Sequence, residues 1–153
     1  MPVPILEKVQ MSSVNSIDVN CPFCGNKQKA ALWSSINIGL NPDMKARLFQ
    51  GDVNVLDCSA CGKRSTLVAP LLYHDMDNGF CVQYYPPELL REEGFYDQFT
   101  VDGKVDMESI LEGFMEPIDY LSSPHIVFNL QEMIHYIEFR DRLSALKKTP
   151  RPS

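Results

Sequence analysis

Cys21-Pro22-Phe23-Cys24-Gly25 and, after a gap of 33 residues between the inner cysteines, Cys58-Ser59-Ala60-Cys61-Gly62 decide how this chain folds. Each motif sets two thiols on a tight turn and follows the second with glycine, which tolerates positive φ and lets backbone N–H groups approach sulfur. The gap is long enough for the chain to double back and bring the two turns face to face. Four thiolates converging on one point form the closed tetrahedral shell of a structural Zn²⁺ site, and paired CxxC motifs at this separation are a specific signal for it. Cys21, Cys24, Cys58 and Cys61 are therefore the expected metal ligands and zinc the expected ion.

Working outward, Val14 to Asn20 is short, β-branched and partly alternating, and reads as a strand delivering the first turn. Gln28 to Ile38 returns as a second strand around Trp33, with a helix as the competing assignment. Asn41 as N-cap, Pro42 at the first helical position and Gly51 at the stop predict a bridging helix with Met44, Leu48 and Phe49 on its apolar face. Asp52 to Asp57 alternates into the second turn, and Ser65 to Tyr73 leaves it as one strand. Asp77-Asn78-Gly79 then predicts a turn, with Phe80 to Tyr85 pairing back until Pro86-Pro87 ends the sheet.

Composition shifts at that double proline. Glu88 to Glu93 reads as a short helix stopped by Gly94, and Phe99 to Val105 as an Asp-Gly hairpin turn. Asp106 can cap a helix holding Ile110, Leu111, Phe114 and Met115. Ser123-Pro124 is expected to open the longest helix, with Val127, Leu130, Ile134 and Ile137 as its stripe and Met133 beside it. The expected organisation is a tail at 1–13, a zinc-binding domain at 14–87, a mainly helical segment at 88–146 packed on it, and a frayed tail at 147–153. The fold class is α+β: a zinc-ribbon-like antiparallel sheet with a bridging helix, then the helical segment.

The 153 residues carry a net charge of −6, unevenly spread. Residues 1–70 hold seven Lys/Arg and five Asp/Glu, whereas residues 71–153 hold seven and fifteen. An acidic chain repels phosphate backbones unless a basic face is segregated, so nucleic acid is disfavoured as a partner. Lys27, Lys29, Lys45, Arg47, Lys63 and Arg64 could form such a rim beside the metal, or simply a solvated surface. No basic segment followed by an apolar run opens the chain, and no stretch approaches the roughly 18 to 20 apolar residues that cross a bilayer. A cytoplasmic protein is expected, and five cysteines, four of them in the paired motifs, suit a reducing compartment.

Three other chemistries can use such cysteines. A glutaredoxin-like dithiol or thiol switch would use Cys-Pro-Phe-Cys alone and leave Cys58 and Cys61 without a role. A rubredoxin-like electron carrier would place iron among the same four sulfurs, although Asn20 and Asn26-Lys27-Gln28 stand where aromatics usually surround that motif. A catalytic zinc needs an open coordination position, which four cysteines close. His74-Asp75-Met76-Asp77 is the other compact set of metal-type ligands, on an expected hairpin tip where such residues serve the turn. His125 and His135 read as surface or packed residues, and Cys81 as a small buried hydrophobe.

From Val19 to Pro87 the order of features resembles the CpXC domain, a bacterial and archaeal family. The resemblance rests on Cys-Pro-Phe-Cys-Gly, Ile36-Asn37 followed by Asn41-Pro42, Gly51-Asp52-Val53-Asn54 before Cys-Ser-Ala-Cys-Gly, and Ala69-Pro70-Leu71-Leu72-Tyr73-His74-Asp75. It covers nearly half the chain and departs at Ser59, where the name leads one to expect proline. It implies a four-cysteine domain with metal bound at Cys21, Cys24, Cys58 and Cys61, and it supplies no catalytic residue. The expected function is a non-enzymatic zinc-binding adaptor whose partner is a protein, with self-association through the last helix as a further possibility. The alternatives are a redox protein and a nucleic-acid-binding zinc-ribbon module.

Overall fold

The computed structural model describes residues 12–106 and 123–148, which fall into two compact units divided between Leu71 and Leu72. In the first unit, β1 (Ser13–Asn20) and β2 (Lys27–Asn37) form an antiparallel pair in the register Asn20↔Lys27 to Val14↔Trp33. Along β2 the half-buried positions alternate through Gln28, Ala30 and Leu32, the two-residue period of a strand with one covered face. Asp18 and Lys29 stand opposite each other and pair at 3.0 Å.

The bridging helix α1 (Asp43–Phe49) buries Met44 and Leu48. Its start differs from expectation by one residue. Pro42 is the N-cap with no side-chain hydrogen bond, while Asn41 contributes only its carbonyl to the N–H of Met44. β3 (Val55–Asp57) and β4 (Arg64–Thr66) form a separate antiparallel ladder that flanks the second cysteine turn. Cys21, Leu56 and Cys58 are the centre of a small core covered by Val19, Ala30 and Leu67.

The segment Ser65 to Tyr73, expected as one strand, is two. Residues 67–70 are irregular between β4 and β5 (Leu71–Asp75), Val68 is exposed, and Pro70 lacks the donor a continuous ladder would need. In the second unit, β5 and β6 (Phe80–Tyr84) are neighbours joined by the expected turn, and β6 lies between β5 and β7 (His125–Val127). β7 runs parallel to β6 in the register Val82↔His125 to Tyr84↔Val127. The fold class is α+β, and this sheet is mixed rather than wholly antiparallel.

β7 also corrects the reading of the last helix, because Val127 is a buried strand residue and α2 begins later, at Leu130–Lys148. Asn129 caps α2, its Oδ1 accepting the N–H groups of Gln131 at 2.7 Å and Glu132 at 3.4 Å. α2 packs on β6 and β7 through Met133 and Ile137, both fully buried. The short helix expected over Glu88 to Glu93 is instead two 3₁₀ turns, Pro87–Arg91 and Glu93–Gln98, so Gly94 lies inside a turn rather than ending one. They carry Phe95, which with Phe99 packs edge-on against Tyr85 at centroid distances of 4.8 and 5.7 Å. The Asp-Gly turn is present, with Phe99 bridged to Val105. The helix expected from Asp106 lies outside the described residues. No described helix is long and apolar enough to cross a membrane.

Candidate metal centre

The two cysteine turns have the same hydrogen bonds. In the first, Cys21 N–H donates to the Asn26 carbonyl at 2.8 Å and Gly25 N–H to the Cys21 carbonyl at 2.9 Å. In the second, Cys58 N–H donates to Lys63 at 3.0 Å and Gly62 N–H to Cys58 at 2.9 Å. The glycines have φ of 79° and 74°, and a Cβ on either would meet nothing within 4 Å. Backbone conformation rather than lack of room thus demands glycine at both. In each turn one backbone N–H also points at the first sulfur: Phe23 to Cys21 Sγ and Cys61 to Cys58 Sγ, both at 3.4 Å.

All four sulfurs lie within 4.8 Å of one another. Cys21 and Cys61 are 3.7 Å apart and Cys24 and Cys58 are 3.5 Å apart, with no disulfide between them. A tetrahedral site with metal–sulfur bonds of about 2.3 Å requires sulfur–sulfur edges of about 3.8 Å, so these separations fit a single ion. Cys21 and Cys58 are buried whereas Cys24 and Cys61 are exposed. The cluster is rooted in the core on one side and open to metal loading on the other.

Charge gives a second test of the fit. The backbone N–H of Cys61 leads the causes that pull the Cys58 thiol down to about 6, with Ala60 N–H and the neighbouring thiols adding to it. Cys21 is lowered too, chiefly by the backbone at Cys24. At Cys24 the backbone at Asn26 favours the thiolate, but Cys58, desolvation and the remaining sulfurs outweigh it and push this thiol up to about 12. Four sulfurs this close cannot all carry charge without a counter-charge among them, which a divalent cation would supply.

Two side chains that sequence reading passed over hold the two turns in place. Gln28 on β2 donates from Nε2 to the Asp57 carbonyl at 2.9 Å, while its Oε1 accepts Ser59 N–H at 2.9 Å and Ser59 Oγ–H at 3.2 Å. The strand leaving the first turn is thereby tied to the second. Asn54 donates from Nδ2 to the Trp33 carbonyl at 2.9 Å and accepts Trp33 N–H on Oδ1 at 2.7 Å, so a side-chain amide extends the β2 ladder. The readable signals were a polar residue on the covered face of β2 and an asparagine, the non-glycine residue most at ease with positive φ, ending Gly-Asp-Val-Asn.

Among the described residues, none of the others weighed as ligands joins the cysteine cluster. His74 and Asp75 lie buried in β5 instead of exposed on a hairpin tip. The Asp75 carboxylate accepts the backbone N–H of Asn78 at 3.0 Å and its Nδ2 at 2.7 Å, which fixes the turn. Cys81 is buried in β6, and burial pushes its thiol up to about 12. Of the candidate basic rim, Lys29 pairs with Asp18, Arg47 with Asp52, and Arg64 with both Asp57 and Asp52. Lys63 lies 4.9 Å over the Phe23 ring.

A family model described as CpXC protein matches residues 19–151. The chain belongs to the CpXC family. The match extends well beyond Pro87, so the second unit is part of the CpXC protein and not an appendage to it. No curated protein and no solved structure matches this chain. Ser59 now has a structural reading: proline there would delete the N–H that Gln28 Oε1 accepts.

Proposed function

We propose that this CpXC protein is a non-enzymatic adaptor built around one structural Zn²⁺ held by Cys21, Cys24, Cys58 and Cys61, and that its partner is a protein. The observation that carries the reading is the convergence of four sulfurs from two turns of matching hydrogen bonding, within 4.8 Å of one another. Zinc fits because an all-cysteine tetrahedral shell is its closed, structural form, with no position left for substrate. The ion supplies a cross-link between turns far apart in sequence. In small zinc peptides such coupling is worth on the order of 10 to 16 kcal/mol, comparable with the stability of a whole domain.

A protein partner is favoured by how the surface charge is spent. Three of the six basic side chains near the cysteine turns are ion-paired to carboxylates, which reduces the positive charge open to phosphates. Beside the site, Phe23 is 57 % exposed with Lys63 over its ring, an amphipathic element of the kind protein interfaces use. Native mass spectrometry with elemental analysis tests the metal reading. One zinc per chain, lost from C24S and C58S variants, is expected. Stoichiometric iron with visible charge-transfer bands would establish the electron-carrier chemistry instead, and a metal-free folded protein would refute both.

A further inference from the structure

A cavity of about 280 Å³ opens in the second unit where the starts of β6 and β7 meet α2. Its lining combines Phe80 and Cys81 from β6, Ser123 and His125 at β7, and Tyr136 and Arg140 from α2. The volume is near the lower end of the roughly 300–1,000 Å³ range of small-molecule sites. None of the residues belongs to the cysteine cluster.

Arg140 is the end of a stack of side chains. The Arg140 guanidinium lies 4.5 Å over the Phe80 ring and donates from Nη1 to Tyr136 Oη at 3.1 Å. Tyr136 in turn stacks flat on His125, with centroids 3.8 Å apart and planes 6° from parallel. Tyr136 also meets Phe80 edge-on at 6.1 Å. Arg140 is thus held by a ring beneath and a hydroxyl at one edge, which removes much of the rotamer entropy it would lose on gripping a ligand. One of its five N–H groups is spent on Tyr136, and among the described residues no carboxylate pairs with it.

That pairing pattern runs against the local composition. Residues 71–153 carry fifteen Asp/Glu against seven Lys/Arg, yet among the described residues no carboxylate lines this cavity. A planar guanidinium presents parallel N–H groups that match carboxylate and phosphate oxygens, and His125 and Ser123 add further donors on the same lining. We infer that the cavity is a binding site for a small oxyanion, either a phosphate monoester or a short carboxylic acid, with Arg140 as its anchor and His125 as a second donor. Phe80 and Tyr136 give the rest of the ligand an apolar surface.

The test uses the full-length protein in its metal-bound form, titrated separately with inorganic phosphate and with succinate at constant ionic strength held by sodium chloride. Two-dimensional ¹H–¹⁵N spectra follow Arg140 Nε–H and the His125 ring. Saturable shifts at those two groups are expected with one or both anions, and the stronger binder tells which oxyanion class the cavity takes. R140Q should weaken binding at least tenfold and R140K severalfold, because lysine keeps the charge but not the fork. H125F keeps the stack on Tyr136 and should weaken binding by a smaller factor. The wild-type titration stands without the variants should one fail to fold. The site is refuted if neither anion shifts these groups by about 20 mM, if chloride alone reproduces the shifts, or if folded R140Q binds as wild type does.

Discussion

At Asn54 a backbone φ of 56° coincides with a side-chain amide bonded to both polar backbone groups of Trp33. The left-handed turn is what swings the amide alongside β2, so conformation and hydrogen bonds cannot be separated by a residue other than glycine or asparagine. N54G should lose the two bonds, at about 2 kcal/mol, whereas N54A adds the left-handed strain of a Cβ and should cost about 3 kcal/mol. Urea denaturation of the two metal-loaded variants checks this order, and equal losses would show that strain contributes nothing. Ser59 makes an opposite case, because proline at that position usually stiffens such a turn. S59P should here destabilise the metal-loaded protein by about 1 kcal/mol through loss of the Gln28 bonds. A variant more stable than wild type would show that the clamp is idle.

Strands β5 and β6, with Tyr85 just after β6, hold buried ionisable groups of the second unit, and these set its limit at high pH. Burial raises the Cys81 thiol from 9.0 to about 12 and the Tyr85 phenol from 10.0 to about 12, and it raises Tyr73 as well. A raised folded-state pKa means that the neutral form is preferred in the fold. The stabilisation is therefore fully present below pH 9 and is lost as pH climbs from 9 toward 12. Melting followed by circular dichroism should hold steady from pH 7 to 9 and then fall by about 5 °C or more by pH 11. An unchanged melting temperature at pH 11 would contradict the burial argument.

The same elements show what sequence can reveal. β1, β2 and α1 were legible because alternation, a proline at the helix start and glycine at its end are local signals. β7 was not, because Val127 falls at helical spacing from Leu130 and Ile134, and three residues are too few for a two-residue period to compete. The break between β4 and β5 hinged on Pro70 in a run whose apolar character otherwise suited one strand. The cysteine cluster could be read from spacing alone. Gln28 and Asn54 could not, since each acts on backbone more than 20 residues away.

Over the whole molecule, each of the two compact units buries residues of its own. One core cluster of the first is formed by Cys21, Leu56 and Cys58, two of them proposed ligands, and Ile36, Met44, Leu48 and Val53 are buried in the same unit. The second buries Tyr73, Val82, Met133 and Ile137 without any of the proposed ligands. The chain's single tryptophan, Trp33, lies on β2 of the first unit. Chelation under reducing conditions should shift Trp33 emission to the red while most α2 ellipticity at 222 nm persists. Loss of both signals together, or of neither, would contradict that division.

The central claim is that one zinc ion is bound by four sulfurs, and X-ray absorption at the zinc edge of the protein as isolated tests it most directly. A single shell of four sulfur scatterers at about 2.3 Å is expected. A shell containing nitrogen or oxygen, or fewer than four sulfurs per zinc, would contradict it.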